Sequence, residues 1–107
     1  MLERFIEQKL RRAVVAVGGM CPKFVSPGMD GMPDRLVLLP GGKIAFVELK
    51  APGEVPRPLQ LHRHQQLRNL GFSVFVIDEP EQIPRMLDML FNRQHRPPLD
   101  PKPPNMD

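Results

Sequence analysis

Apolar residues in the first seventeen positions recur with helical spacing. Leu2, Phe5, Ile6, Leu10, Ala13, Val14 and Val17 follow the i, i+3, i+4 rhythm of a buried stripe, with charged residues between them. This predicts a helix over 2–17, stopped by Gly18-Gly19. Met20 to Val25 predicts a short first strand. Pro22 within it has no N–H to give to a ladder, which suits a sheet edge or a strand start. Ser26 to Gly31, with Pro27, Gly28 and Gly31, is a loop. Arg35 to Leu39 and Lys43 to Leu49 are apolar, β-branched or aromatic runs flanking Pro40-Gly41-Gly42, a hairpin signal. Both faces of this hairpin carry apolar side chains, so it should lie centrally in a sheet covered on each side.

Ala51 to Pro58, with three prolines and a glycine, is a loop. A second helix is expected over 59–70, ended by Gly71, and a further strand over 73–77. Asp78 is placed to cap a last helix whose apolar face is Ile83, Met86, Leu87 and Leu90, with Pro84 in its first turn. The order is αβββαβα, an α/β fold with a mixed central sheet of about four strands flanked by helices. Arg96 to Asp107 holds five prolines and little apolar content. The chain therefore divides into a folded domain over 1–92 and a disordered tail over 93–107.

At 107 residues, with 41% hydrophobic and 25% charged, the chain is long enough for one modest core and ordinary for a soluble domain. No apolar run approaches the length of a membrane span, and the N-terminus has no signal-peptide pattern. Cys21 is the single cysteine, which excludes an internal disulfide and a thiol-based metal cluster and points to a reducing compartment. A net charge of +3 permits binding to a phosphate backbone without requiring it. The absence of Trp and Tyr argues against an aromatic base-stacking platform.

Candidate chemistry centres on Pro33-Asp34 and Glu48-Leu49-Lys50. If Pro40, Gly41 and Gly42 form a three-residue loop, Leu39 pairs with Lys43, Leu36 with Phe46, and Asp34 faces Glu48. The two carboxylates then share one face, and Lys50, two residues past Glu48, points to the same face. A shifted parity would separate the acids. Opposed like charges are unfavourable unless a cation sits between them, and hard cations such as Mg²⁺ take carboxylate, carbonyl and water oxygens. An acid in the apolar stretch 44–49 also needs a partner. The competing account is that these are solvated residues at strand ends.

The same residues carry a family resemblance. Pro33-Asp34 followed by Glu48-Leu49-Lys50 resembles the PD-(D/E)XK nuclease signature. More specifically, the chain resembles stand-alone VRR-NUC domains of phage and bacterial proteins. The matching series runs through Gly18-Gly19, Lys23-Phe24, Ser26-Pro27-Gly28, the stretch 31–42, the stretch 46–53, Pro58-Leu59-Gln60, His64 and Leu70-Gly71-Phe72. It covers residues 2 to 90.

The resemblance implies a restriction-endonuclease-like core and DNA cleavage dependent on Mg²⁺ or Mn²⁺. Asp34, Glu48 and the backbone carbonyl of Leu49 are the implied metal ligands, and Lys50 the residue serving the attacking water. An acid on the first helix is implied as well, and Glu7 is the candidate, with Glu3 one turn earlier as its rival. Gln60 is implied to face the site. Lys23, Ser26, Gly28, Arg57 and His64 are candidate DNA contacts, with His64 read first as a helix-surface or packing residue. The resemblance extends to Holliday-junction resolvases, which implies a homodimer acting on branched DNA in the cytoplasm of a bacterial or phage-infected cell. Two readings from other classes stand beside it: a catalytically silent DNA-binding module on the same fold, and an interaction protein whose tail binds a proline-recognising partner.

Overall fold

The hairpin around Pro40-Gly41-Gly42 forms the centre of the molecule. In the computed structural model, which describes residues 2–92, β1 (Arg35–Leu39) pairs antiparallel with β2 (Lys43–Leu49). The register sets Leu39 against Lys43 and Arg35 against Val47, with three residues in the loop and positive φ at Gly41 and Gly42. Past the loop, α2 (Pro58–Asn69) crosses back over the sheet. It leads into β3 (Ser73–Ile77), which lies parallel to β2 on its other side. Strand order is β1-β2-β3. α1 (Glu3–Ala16) precedes the sheet and α3 (Gln82–Phe91) follows it.

Alternation along the strands divides the core into two layers. Val37, Leu39, Ala45, Val47, Leu49 and Ile77 face α1 and α3, where Ile6, Leu10, Val14, Ile83, Met86, Leu87 and Leu90 complete the larger cluster. Phe46 and Val74 face α2 and pack with Leu67, with Phe24, Met32 and Leu36 at the margin. β2 is thus covered on both sides, as its two apolar faces predict. The α1 stripe is narrower than its sequence period suggests: Ile6, Leu10 and Val14 are sealed, whereas Leu2, Phe5 and Val17 stay exposed. A single i, i+4, i+8 line suffices to seat this helix on the sheet.

The expected first strand is the main departure. Met20 to Val25 makes only two isolated bridges to β1, Met20 with Leu38 and Lys23 with Arg35, so the described sheet has three strands rather than four. Leu38 exchanges both backbone bonds with Met20. Leu36 N–H donates to Pro22 O and Phe24 N–H to Asp34 O. Proline cannot return a bond to β1, and the ladder breaks there. The segment remains the edge neighbour of β1 without becoming a continuous strand.

α1 ends in a Schellman arrangement. Gly18, at φ 89°, bonds through its N–H to Val15 O, and Gly19 N–H to Val14 O. The cap on α3 that the sequence assigns to Asp78 does not form; the helix begins at Gln82, after Glu81. The chain makes turns over 79–82 first, and it is the Gln82 side chain that accepts from the Asp78 and Glu79 N–H groups, at 2.8 and 3.1 Å. The predicted proline-rich tail over 93–107 lies outside the described residues. Among the described residues no helix is long and apolar enough to cross a membrane.

Candidate active site

Continuing the β1–β2 register by one residue sets Asp34 opposite Glu48, at the end of the sheet where β1 begins and β2 finishes. Both acids have the parity of Leu36 and Phe46, so they belong to the face that α2 covers. The ladder runs on past β2, since Lys50 N–H donates to Ile77 O at 3.0 Å. That keeps Lys50 in strand geometry and on the same side as Glu48. The Lys50 ammonium lies 3.9 Å from Glu48 Oε2. Asp34 is tied across the hairpin by the Leu49 N–H, which donates to its Oδ1 at 3.2 Å.

α2 supplies the far wall. Gln60 is buried and oriented by two contacts of opposite sense. Its Oε1 accepts the Arg57 backbone N–H at 2.8 Å, and its Nε2 donates to Glu48 Oε2 at 2.9 Å. The first contact is the helix-facing half of an N-terminal capping interaction. One side chain therefore both starts the helix and grips the acid. Pro58 at the first helical position makes that start well defined. His64, one turn later, is completely buried, with Nε2 3.6 Å from Glu48 Oε1.

Glu48 is only 3% exposed, and its acidity reflects that. Burial first, and then the Asp34 charge, push its carboxyl up to about 7, against the restraining pull of Lys50. Asp34 is raised too, chiefly by burial, with the Leu49 N–H opposing. Glu3 adds repulsion at both acids. Burial, with the Arg68 and Lys50 charges, holds His64 below the ordinary histidine range.

These residues fit a hard divalent cation. Two carboxylates face each other at the cost of mutual repulsion, and Glu48 Oε1 is a buried oxygen with no hydrogen-bond partner. Among the described residues no group of three or more His, Cys, Asp or Glu side chains is gathered as a metal cage. Magnesium does not need one; it is commonly held by one or two carboxylates with waters filling the remaining positions.

The other predicted residues are distributed as follows. Glu7 is paired with Arg35, which is itself buried and also donates to Cys21 O at 2.7 Å. The pair ties α1, the edge segment and β1 together, beside a cleft lined by Glu3, Arg4, Glu7, Lys23, Phe24, Asp34 and Leu49. Lys23 and Arg57 are exposed on either side of the site, Ser26 is half-buried, and Gly28 is open. His64 takes the packing role among those open to it and is enclosed against Glu48, away from any phosphate path. Sequence reasoning missed the structural role of Arg35. Its signal was the alternation Arg35, Val37, Leu39, which puts a guanidinium at a buried parity where it must find a partner.

No family model matches the chain. It is 54% identical over 79 residues to a phage protein described as "Putative nuclease p44", from Acyrthosiphon pisum secondary endosymbiont phage 1. The aligned stretch is 74% of this chain and 85% of that protein. A solved structure described as "VRR_NUC domain" matches with a TM-score of 0.75 and 34% identity, covering 80% of this chain and 94% of its own.

Proposed function

The chain belongs to the VRR_NUC family, and from that premise we propose that it is a metal-dependent endonuclease that hydrolyses DNA phosphodiester bonds. The observation that carries the reading is the meeting of Asp34, Glu48 and Lys50 on one face of the sheet end, with Glu48 buried and raised to about 7. A buried acid facing a second, half-buried acid and an ammonium is costly to build and has little structural purpose.

Asp34, Glu48 and the Leu49 carbonyl would hold Mg²⁺ or Mn²⁺, which when bound supplies Lewis-acid polarisation of the scissile phosphate. Gln60 fixes one oxygen of Glu48 and so limits its rotation. Lys50 stands beside that oxygen, where its ammonium can orient a water or stabilise charge developing on the phosphoryl oxygens. Exposed Lys23 and Arg57 flank the site and suit backbone phosphates. We extend the proposal to branched DNA as the preferred substrate and a homodimer to span it, on the strength of the sequence resemblance to junction resolvases and the small size of the folded core.

The test is cleavage of a labelled four-way junction, a flap and plain duplex, with Mg²⁺, Mn²⁺ or chelator, alongside light scattering of the same sample. The expected result is a dimer that cuts the branched substrates only with metal. Glu48→Ala and Lys50→Ala should each lose at least a hundredfold in rate. Tight binding without cutting in either metal would instead identify a silent DNA-binding module.

A further inference from the structure

Three polar atoms meet unsatisfied behind the proposed metal site. Both ring nitrogens of His64 and Glu48 Oε1 are sealed from solvent and have no hydrogen-bond partner. A buried polar atom left unpaired costs about 1–3 kcal/mol, so the clustering of three in one place calls for a physical reason. The imidazole is wholly enclosed and directed at the carboxylate, with Nε2 3.6 Å from Oε1. Gln60 and Lys50 attend only the other oxygen. An approach of about half an ångström brings the imidazole and carboxylate to hydrogen-bond distance. We propose that His64 is a positioning residue for Glu48, its Nε2–H donating to Oε1 while Gln60 holds Oε2.

The arrangement clamps the carboxylate from two successive turns of one helix. Gln60 and His64 are four residues apart and lie on the same side of α2. The clamp fixes the rotation of Glu48 about its side-chain axis, and with it the direction of the lone pairs left for a ligand. Partners of this kind around a metal-binding carboxylate change metal affinity by about 10–100-fold. An imidazole with its proton on Nε2 has the one N–H that this contact needs, and the sealed Oε1 is the acceptor it faces. Its role differs from that of the exposed basic residues: it touches neither phosphate nor water, and it acts through Glu48. The consequence for metal binding rests on the proposed function, whereas the contact itself does not.

The experiment uses the full chain and two readouts. Nitrogen NMR of the His64 ring in metal-free protein should show the Nε2–H tautomer, with a resonance that shifts on Glu48→Gln. Calorimetric titration with Mn²⁺ should show His64→Leu binding 10-fold or more weaker than wild type, and His64→Gln, which keeps an N–H donor, within about threefold. In cleavage assays the Leu variant should lose kcat while KM for DNA stays constant. Folded His64→Leu protein with wild-type Mn²⁺ affinity would reduce His64 to packing, and an Nδ1–H tautomer would overturn the proposal outright. Should the Leu variant not fold, the tautomer and its response to Glu48→Gln decide. Should wild-type protein bind no Mn²⁺, the metal reading fails, while the ring resonance still tests the contact.

Discussion

Glu3 and Glu7 lie one turn apart on α1 and face the same end of the sheet, yet their surroundings separate them. Glu7 is engaged by Arg35, whose guanidinium is buried and also spans to Cys21 O. Glu3 is exposed, and its charge is felt at both Asp34 and Glu48. Removing the Glu7 charge leaves Arg35 with its guanidinium buried and unneutralised. Glu7→Gln should therefore lower stability by about 2–4 kcal/mol, less than the loss of a fully buried pair because Glu7 keeps some solvent contact. Glu3→Gln should leave the thermal midpoint within about 4 °C, since surface substitutions rarely exceed ~0.5 kcal/mol. If an acid of α1 takes part in cutting, Glu3→Gln is the variant that should slow the reaction without unfolding the protein. A side-by-side melt and cleavage assay checks both, and equal melting points for the two variants would count against the structural role of Glu7.

At the scale of elements, the glycine pair after α1 links helix, edge segment and site. A Cβ on Gly19 would lie 2.4 Å from Leu38 O and 2.9 Å from a Val14 methyl, and the first of these is backbone. Gly19→Ala must push the edge segment off β1, and that segment also delivers the Phe24 N–H to Asp34 O. The expected cost is about 3 kcal/mol, with a fall of 10 °C or more in thermal midpoint and lost cutting. Gly41→Ala makes the control. Its φ is 86° but nothing lies within 4 Å of the added carbon, so only the dihedral penalty of about 1–2 kcal/mol applies. Equal losses for the two would show that backbone conformation, and not space, governs the corner. The same elements show what sequence patterning can reach. The hairpin register followed from one loop length and the parity of apolar residues, and with it the juxtaposition of Asp34 and Glu48. Pro22 signalled an edge but not how far pairing would fail, because that depends on which acceptors β1 presents. The seat of His64 was only half legible: packing was one of the roles open to it, but a polar helix such as α2 shows no apolar stripe to mark its inner face, and the tertiary contact with Glu48 decides.

Across the whole molecule, the acid pair sets function against stability. Groups facing Glu48 come from every side: Asp34 before β1, Lys50 after β2, Glu3 on α1, and Arg57, Gln60 and His64 around α2. With its carboxyl raised to about 7 from the ordinary 4.5, Glu48 holds in the folded chain a proton that the unfolded chain has already released. Stability is therefore greatest below pH 4.5 as far as this group is concerned, and is lost as pH rises through 7, by on the order of 3 kcal/mol. Asp34, also raised, adds in the same direction at lower pH. His64 is lowered and acts oppositely, but only below about 6.5, where the unfolded imidazole begins to protonate. The clean window is thus pH 6.5 to 8, in which metal-free protein should melt at progressively lower temperature. A cation that binds the ionised pair reverses the trend, since a ligand at a hundred times its Kd stabilises by about 2.7 kcal/mol. For a domain of this size that raises the thermal midpoint by roughly 10 °C or more. Mg²⁺ or Mn²⁺ should therefore stabilise strongly at pH 8 and hardly at pH 5, where protons occupy the acids. Glu48→Gln should abolish both the pH-dependent loss and the response to metal. A wild-type melt that does not fall between pH 6.5 and 8 without metal would mean that Glu48 is already ionised in the native state, and that its neighbours suffice to hold the charge without a cation.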